Sequence, residues 1–184
     1  MNEVTQILDR VQRGDLKAAH ELLPLVYQEL RRLAAARMAR ESPHQTLQPT
    51  ALVHEAWMRL VGDTNPKFDG RAHFFAAAAE AMRRILIDNA RRKKAQRHGG
   101  GQARVDISEL ELAVAAKDDE LLAVSDALEK LAVEDKQLAE LVKLRFFAGF
   151  TNKEAGEILG VSEPTVERRW AFARAWLFNQ IRSQ

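Results

Sequence analysis

Residues 151 to 177 leave the fewest choices for folding. Thr151 and Glu154 stand at T-x-x-E spacing, in which each side chain satisfies an orphan backbone donor at a helix start. Gly156 is small where two helices have to cross closely, Gly160 permits the turn between them, and Val161 can plug the gap. Ser162 is placed to cap a second helix, and Pro164 falls in its first turn, where a missing N–H costs little. Val166, Trp170, Ala173 and Leu177 step i, i+4, i+7, i+11 and predict an inward stripe. Thr165, Arg168 and Arg169 therefore share another face. A second helix with a polar start and two adjacent arginines suits the DNA major groove, where arginine forks onto guanine or grips phosphate. The plainer alternative is a helical hairpin without a ligand; small-residue spacing joined to double capping favours the helix-turn-helix.

The same periodicity runs through the rest of the chain. Val4, Ile7, Leu8 and Val11 keep helical spacing up to Gly14, and Asp15 can cap a helix carrying Leu16, Ala19, Leu23, Val26, Leu30 and Leu33. Pro43 and Pro49 bracket a break. Thr50 is then placed to cap a helix whose stripe is Leu52, Val53, Ala56, Trp57 and Leu60. Residues 62–70 read as loop. From about Ala72 a further helix turns Phe74, Phe75, Ala78, Met82, Ile85 and Leu86 inward and Arg83, Arg84, Arg91 and Arg92 outward, ending before Gly99, Gly100 and Gly101. Later stripes are Leu121, Leu122, Leu128 and Leu131, then Leu138, Leu141, Val142 and Leu144, closed by Gly149. Strand alternation is absent, and 9 Gly with 5 Pro in 184 residues are too few for a turn-rich β fold. The expectation is an all-α chain of two small helical domains. A flexible linker joins them, built on the triglycine and the acidic residues after it, from about His98 to Lys117.

The formal net charge of +2 conceals how charge is distributed. Residues 83–104 hold Arg83, Arg84, Arg91, Arg92, Lys93, Lys94, Arg97 and Arg104 against Asp88 alone. Residues 105–140 are acidic, and 143–184 turn basic again. Two basic blocks parted by an acidic one point to two polyanion-binding surfaces, with solvated helix faces as the bland alternative. Other classes drop out. No cysteine means no disulfide scaffold, thiolate zinc site or cysteine nucleophile. The longest apolar run, residues 74–79, falls far short of a bilayer span, and no leader opens the chain, so a cytoplasmic protein without a membrane partner is expected. The triglycine is no phosphate cradle, since no strand precedes it and no Gly-Lys-Ser or Gly-Lys-Thr follows. His54 and Glu55 begin an H-E-x-x-H pattern, but Met58 stands where the second histidine belongs. His20, His44, His73 and His98 have no ligand spacing. No catalytic residue, metal or cofactor is assigned.

Three stretches together resemble the extracytoplasmic-function (ECF) class of bacterial sigma factors. L-R-F-F-A-G-F-T-N-K-E-A-G-E-I-L-G-V-S-E-P-T-V-E-R-R-W, from Leu144 to Trp170, is similar to sigma region 4.2, with Gly156 where alanine is usual. A-L-V-H-E-A-W-M-R-L, from Ala51 to Leu60, resembles region 2.2, and I-D-N-A-R-R, from Ile87 to Arg92, the end of region 2.4. The resemblance implies a sigma-2-like domain over 1–97, a linker over 98–120, and a sigma-4-like helix-turn-helix domain over 121–184. It implies a promoter-specificity subunit, not an enzyme, whose partners are core RNA polymerase (the β′ clamp helices and the β flap) and promoter DNA, with an anti-sigma factor as a further partner. Carried over residue by residue, it places Ser162, Thr165, Arg168 and Arg169 on the −35 element. Phe74, Phe75, Arg83, Arg84, Asp88, Arg91 and Arg92 fall on the −10 region, and Glu55, with His54 and Arg59, on polymerase. Two departures are Ala51 and His54, where the family often has aspartate and glutamine; a third is Ala77, where tryptophan is common. The rival reading is an autonomous helix-turn-helix regulator, which would bind a specific duplex tightly without polymerase.

Overall fold

The structure, a computed structural model, describes residues 3–13, 15, 17–18, 21–22, 25, 49–61, 68, 70–96 and 118–183. Among these it is helical with no strand: α1 (Glu3–Gln12), α2 (Pro49–Val61), α3 (Arg71–Gln96), α4 (Asp118–Glu134), α5 (Lys136–Val142), α6 (Asn152–Leu159) and α7 (Glu163–Arg182). A π-helical turn, Lys143–Phe147, continues α5. The all-α expectation is met. The chain forms two compact units, Met1–Met82 and Arg83–Gln184, so that α3 contributes to both. The expected linker, the triglycine and most of the 62–70 loop lie outside the described residues, as do Leu16, Ala19, Leu23, Val26, Leu30 and Leu33.

In the first unit, α1 buries Val4, Ile7 and Leu8. Asp15 caps the helical residues that follow, its Oδ1 accepting from the backbone N–H of Lys17 at 3.0 Å and of Ala18 at 3.3 Å. The Arg10 guanidinium also grips this carboxylate, at 2.8 Å, and Glu21 at 2.6 Å. That bond, chiefly, holds the Asp15 carboxyl below the usual carboxylate range. α2 begins at Pro49, one residue ahead of the expected cap, so Thr50 sits inside its first turn. Leu52, Val53, Ala56 and Trp57 are its buried stripe.

Phe74 and Phe75, at the start of α3, have no exposed surface. Phe68, Phe74 and Phe75 stack edge to face in series, with centroids 5.1 and 5.4 Å apart.

In the second unit, Asp118, Asp119 and Glu120 occupy the first turn of α4, where carboxylates suit the helix dipole. Asp135 breaks α4 from α5 and caps the latter, accepting from the Leu138 N–H at 2.9 Å. α7 packs against α4, α5 and α6. Leu128, Leu131, Leu141, Leu144, Phe150, Val166 and Ala173 form the centre of this core.

Candidate nucleic-acid interface

The helix-turn-helix is built from its caps inward. The Thr151 hydroxyl accepts from the Glu154 N–H at 3.2 Å, while the Glu154 carboxylate accepts from the Thr151 N–H at 2.8 Å, which completes the capping box. Gly160 ends α6 in the left-handed region, φ 69°, as the turn requires. Gly156 is small for a measurable reason: a Cβ there would lie 2.7 Å from the Val161 carbonyl oxygen. The Val161 N–H in turn donates to the Gly156 carbonyl at 3.0 Å, so both backbones are pinned at the crossing. Ser162 holds the N-cap position of α7, but its side chain differs from expectation. Its hydroxyl bonds the Thr165 hydroxyl at 2.9 Å and makes no side-chain cap, while its carbonyl accepts from the Thr165 and Val166 N–H groups.

α7 sorts its residues as its periodicity demands. Val166, Trp170, Ala173 and Leu177 are its buried residues. Arg168 is exposed on the far side of the helix, while Thr165 and Arg169 are half-buried along the flank of the stripe. The aromatic Phe172 joins them, 62% exposed. Sequence reasoning missed it, although its i+7 spacing from Thr165 was the signal. Arg168, Arg169 and Phe172 line an open groove of about 220 Å³ whose other wall is Asp135 and Leu138 at the start of α5. The remaining arginines of this basic block serve the packing. Arg145 lies over the Trp170 ring at 5.2 Å and donates to the Phe150 carbonyl, Arg174 lies 5.9 Å from the same ring, and Arg182 covers Phe178.

The second basic block lies on α3. Arg84, Asp88, Arg91 and Arg92 are exposed at i, i+4, i+7 and i+8 and share one face. Arg83 is turned elsewhere: its guanidinium donates to Ser125 Oγ at 2.9 Å and to the Glu129 carboxylate at 3.2 Å, and its side chain is 11% exposed. Lys93 and Lys94 meet Asp118 and Asp119 at 3.9 and 3.3 Å. Phe74 and Phe75, expected on the −10 region, are buried in the unbound chain. Their part is to fix the start of α3. Ala77 is half-buried.

On α2, Ala51, His54, Glu55, Met58 and Arg59 make one exposed face. Arg59 donates to Glu55 across 3.0 Å. Met58, 56% exposed, joins this face unanticipated; an apolar residue beside an ion pair suits protein contact more than phosphate. Among the described residues there is no cluster of three or more potential metal ligands, and no helix is long and apolar enough to cross a membrane.

Searches against curated proteins and against solved structures return no match. A family model described as ECF sigma factor matches residues 1–183. With a capped helix-turn-helix at one end, a basic helix before it and a match spanning nearly every residue, the chain belongs to the ECF sigma factor family, whose role is in transcription initiation.

Proposed function

We propose that this sigma factor binds core RNA polymerase and directs initiation at promoters read through a −35 and a −10 element. The observation that carries the reading is the α7 surface, where Thr165, Arg168 and Arg169 stand off the buried Val166 stripe on a helix that follows a doubly pinned turn. A rigid helix with its arginines outward docks in a major groove without reorganising its core. The −35 element is read there as duplex, by Thr165, Arg168 and Arg169, with Ser162 at the start of the helix. The −10 element is held as an opened strand along the Arg84, Asp88, Arg91 and Arg92 face of α3. The α2 face, through His54, Glu55 and Arg59, docks on the β′ clamp helices. Residues 1–97, 98–120 and 121–184 act as sigma-2-like domain, linker and sigma-4-like domain, the last also meeting the β flap. The protein works in the cytoplasm, polymerase supplies the catalysis, and an anti-sigma factor holds the chain silent.

Joining two modest DNA contacts through one linker raises their effective concentration, so neither has to be tight. Acidic residues keep the free chain off DNA until polymerase engages it. The Lys93–Asp118 and Lys94–Asp119 pairs support this idea. Glu109 and Glu111, the other carboxylates expected to take part, lie outside the described residues.

The test adds purified chain to sigma-free bacterial core polymerase and scores promoter-dependent transcripts. Gel shifts with and without core accompany it at one fixed salt, because phosphate-driven affinity falls steeply with salt. Transcription that depends on the chain is expected. Glu55→Lys should weaken core binding with unchanged helicity. Nanomolar, sequence-specific binding by the isolated chain, with no polymerase-dependent transcription from that site, would overturn the reading in favour of an autonomous regulator.

A further inference from the structure

The most exposed large apolar residue of α7 stands 62% exposed in the middle of the helix, where Val166, Trp170 and Leu177 are buried and Trp176, Phe178 and Ile181 half-buried. Phe172 is that residue. It continues the Thr165, Arg168, Arg169 series at i, i+3, i+4 and i+7, the spacing with which a homeodomain recognition helix reads base edges. From Thr165 to Phe172 the helix advances about 10 Å, which is about three base-pair steps along a duplex. Phe172 therefore lies within reach of a base the two arginines do not cover. Its surroundings select what that base presents. Arg168 and Arg169 border the same groove and bring positive charge, while Leu138 and Phe172 supply its apolar surface. Asp135, the one carboxylate on the rim, is engaged in capping α5 through the Leu138 N–H.

We propose that Phe172 is a fourth reading residue of α7 and that it takes the C5-methyl group of a thymine in the −35 duplex. That methyl is the apolar feature of the major-groove edge, so it suits an aromatic ring flanked by guanidiniums that grip phosphate or guanine. Phe172 thereby sets specificity for thymine at one position, where an arginine would favour guanine. This inference rests on the −35 assignment of α7.

The test uses the full chain assembled with core polymerase, and as probe a −35 duplex selected by that holoenzyme from a randomised pool. Each thymine is replaced in turn by deoxyuridine, which removes the methyl and leaves every hydrogen-bonding group in place. At one position the wild-type holoenzyme should lose about fourfold in affinity, the worth of one buried methyl. Phe172→Ala should lose about five- to tenfold and be indifferent to deoxyuridine at that position, while Phe172→Leu retains part of the discrimination. Arg168→Glu is the reference arm. If Arg168→Glu abolishes −35 binding while Phe172→Ala binds as wild type, the Phe172 inference fails and the −35 assignment stands. If Arg168→Glu is silent, the −35 assignment itself fails. A Phe172→Ala chain that keeps the full deoxyuridine penalty but loses affinity for core polymerase would overturn the inference in favour of a protein partner. The deoxyuridine scan changes only the DNA, so a wild-type holoenzyme indifferent to it at every position overturns the inference even if a variant folds poorly. Thr165→Ser, which keeps the hydroxyl and drops the methyl, should leave the deoxyuridine penalty in place.

Discussion

Lys93 and Lys94, near the end of α3, face Asp118 and Asp119 at 3.9 and 3.3 Å, whereas Arg168 and Arg169, in the second turn of α7, border an open groove with Phe172. Both segments read as dense basic blocks in the sequence. Their surroundings give the same charge different uses. On α3 part of the positive charge is matched by carboxylates, so an incoming phosphate has to displace an ion pair before it gains one. On α7 the arginines stand beside an aromatic ring on a helix anchored by Val166, Trp170 and Ala173. Charge density therefore locates a polyanion surface only coarsely. The neighbours decide which cations are presented and which are engaged in holding the fold, as Arg83 and Arg145 also show.

The largest effect expected of this contrast is at Arg168. Arg168→Glu removes a contact worth about 1–3 kcal/mol and adds repulsion, so −35-dependent promoter affinity should fall at least tenfold in gel shifts with holoenzyme. Core polymerase binding should stay as it is. An equal loss on a promoter lacking the −35 element would break the contrast, since α7 would then not be the surface that reads it.

Next in size is the scaffold beneath the arginines. Gly156→Ala drives a methyl to 2.7 Å from a backbone oxygen that the turn pins. Overpacking of this kind costs about 1–3 kcal/mol, read as a lower denaturant midpoint for the second unit. An unchanged midpoint would mean that the turn relaxes freely and that α7 is less firmly presented than the contrast requires.

A smaller effect tests the matched side. Asp118→Asn combined with Asp119→Asn frees Lys93 and Lys94 and should raise the free chain's affinity for duplex DNA about two- to fivefold, since partly exposed pairs are worth about 0.2–1 kcal/mol. The gain should shrink as salt rises toward 0.5 M. No gain at low salt would leave the carboxylates without a masking role.

The smallest effect concerns an ion pair in the first unit. The Asp15 carboxyl is held low chiefly by the Arg10 guanidinium, helped by the Lys17 and Ala18 N–H groups. A depressed folded-state value means that its contribution is fully present above the unfolded pKa and is lost as pH falls through the folded one. Acid should therefore weaken the first unit below about pH 4, and Asp15→Asn should flatten that part of the profile. Carboxyl titration followed by NMR checks the sign, and an Asp15 midpoint at or above an ordinary aspartate would refute it.

Local rules made much of this protein legible. The capping box at Thr151 and Glu154 and the turn at Gly160 depend on contacts three to four positions apart, and the side α7 turns inward follows its apolar period, so spacing alone specifies them. The stripes of α2 and α3 were legible for the same reason, down to Trp57 lying inside. The Ser162 hydroxyl escaped because a serine at this position can bond a backbone N–H or a neighbouring side chain, and here it bonds the Thr165 hydroxyl. The π turn Lys143–Phe147 escaped because no residue type marks the one-residue shift in register that a wider turn introduces.

What the sequence determined by itself was the helical class, the capped helix-turn-helix and the faces each helix turns inward, because propensity, capping and periodicity act within a few residues. Only the tertiary structure decided which charges are presented. It paired Arg83 with Ser125 and Glu129, across more than forty positions of sequence, and left Phe172 beside two arginines at the mouth of a groove. Ion pairing and burial depend on which elements meet in space, and residue spacing along one helix carries no record of what packs against it.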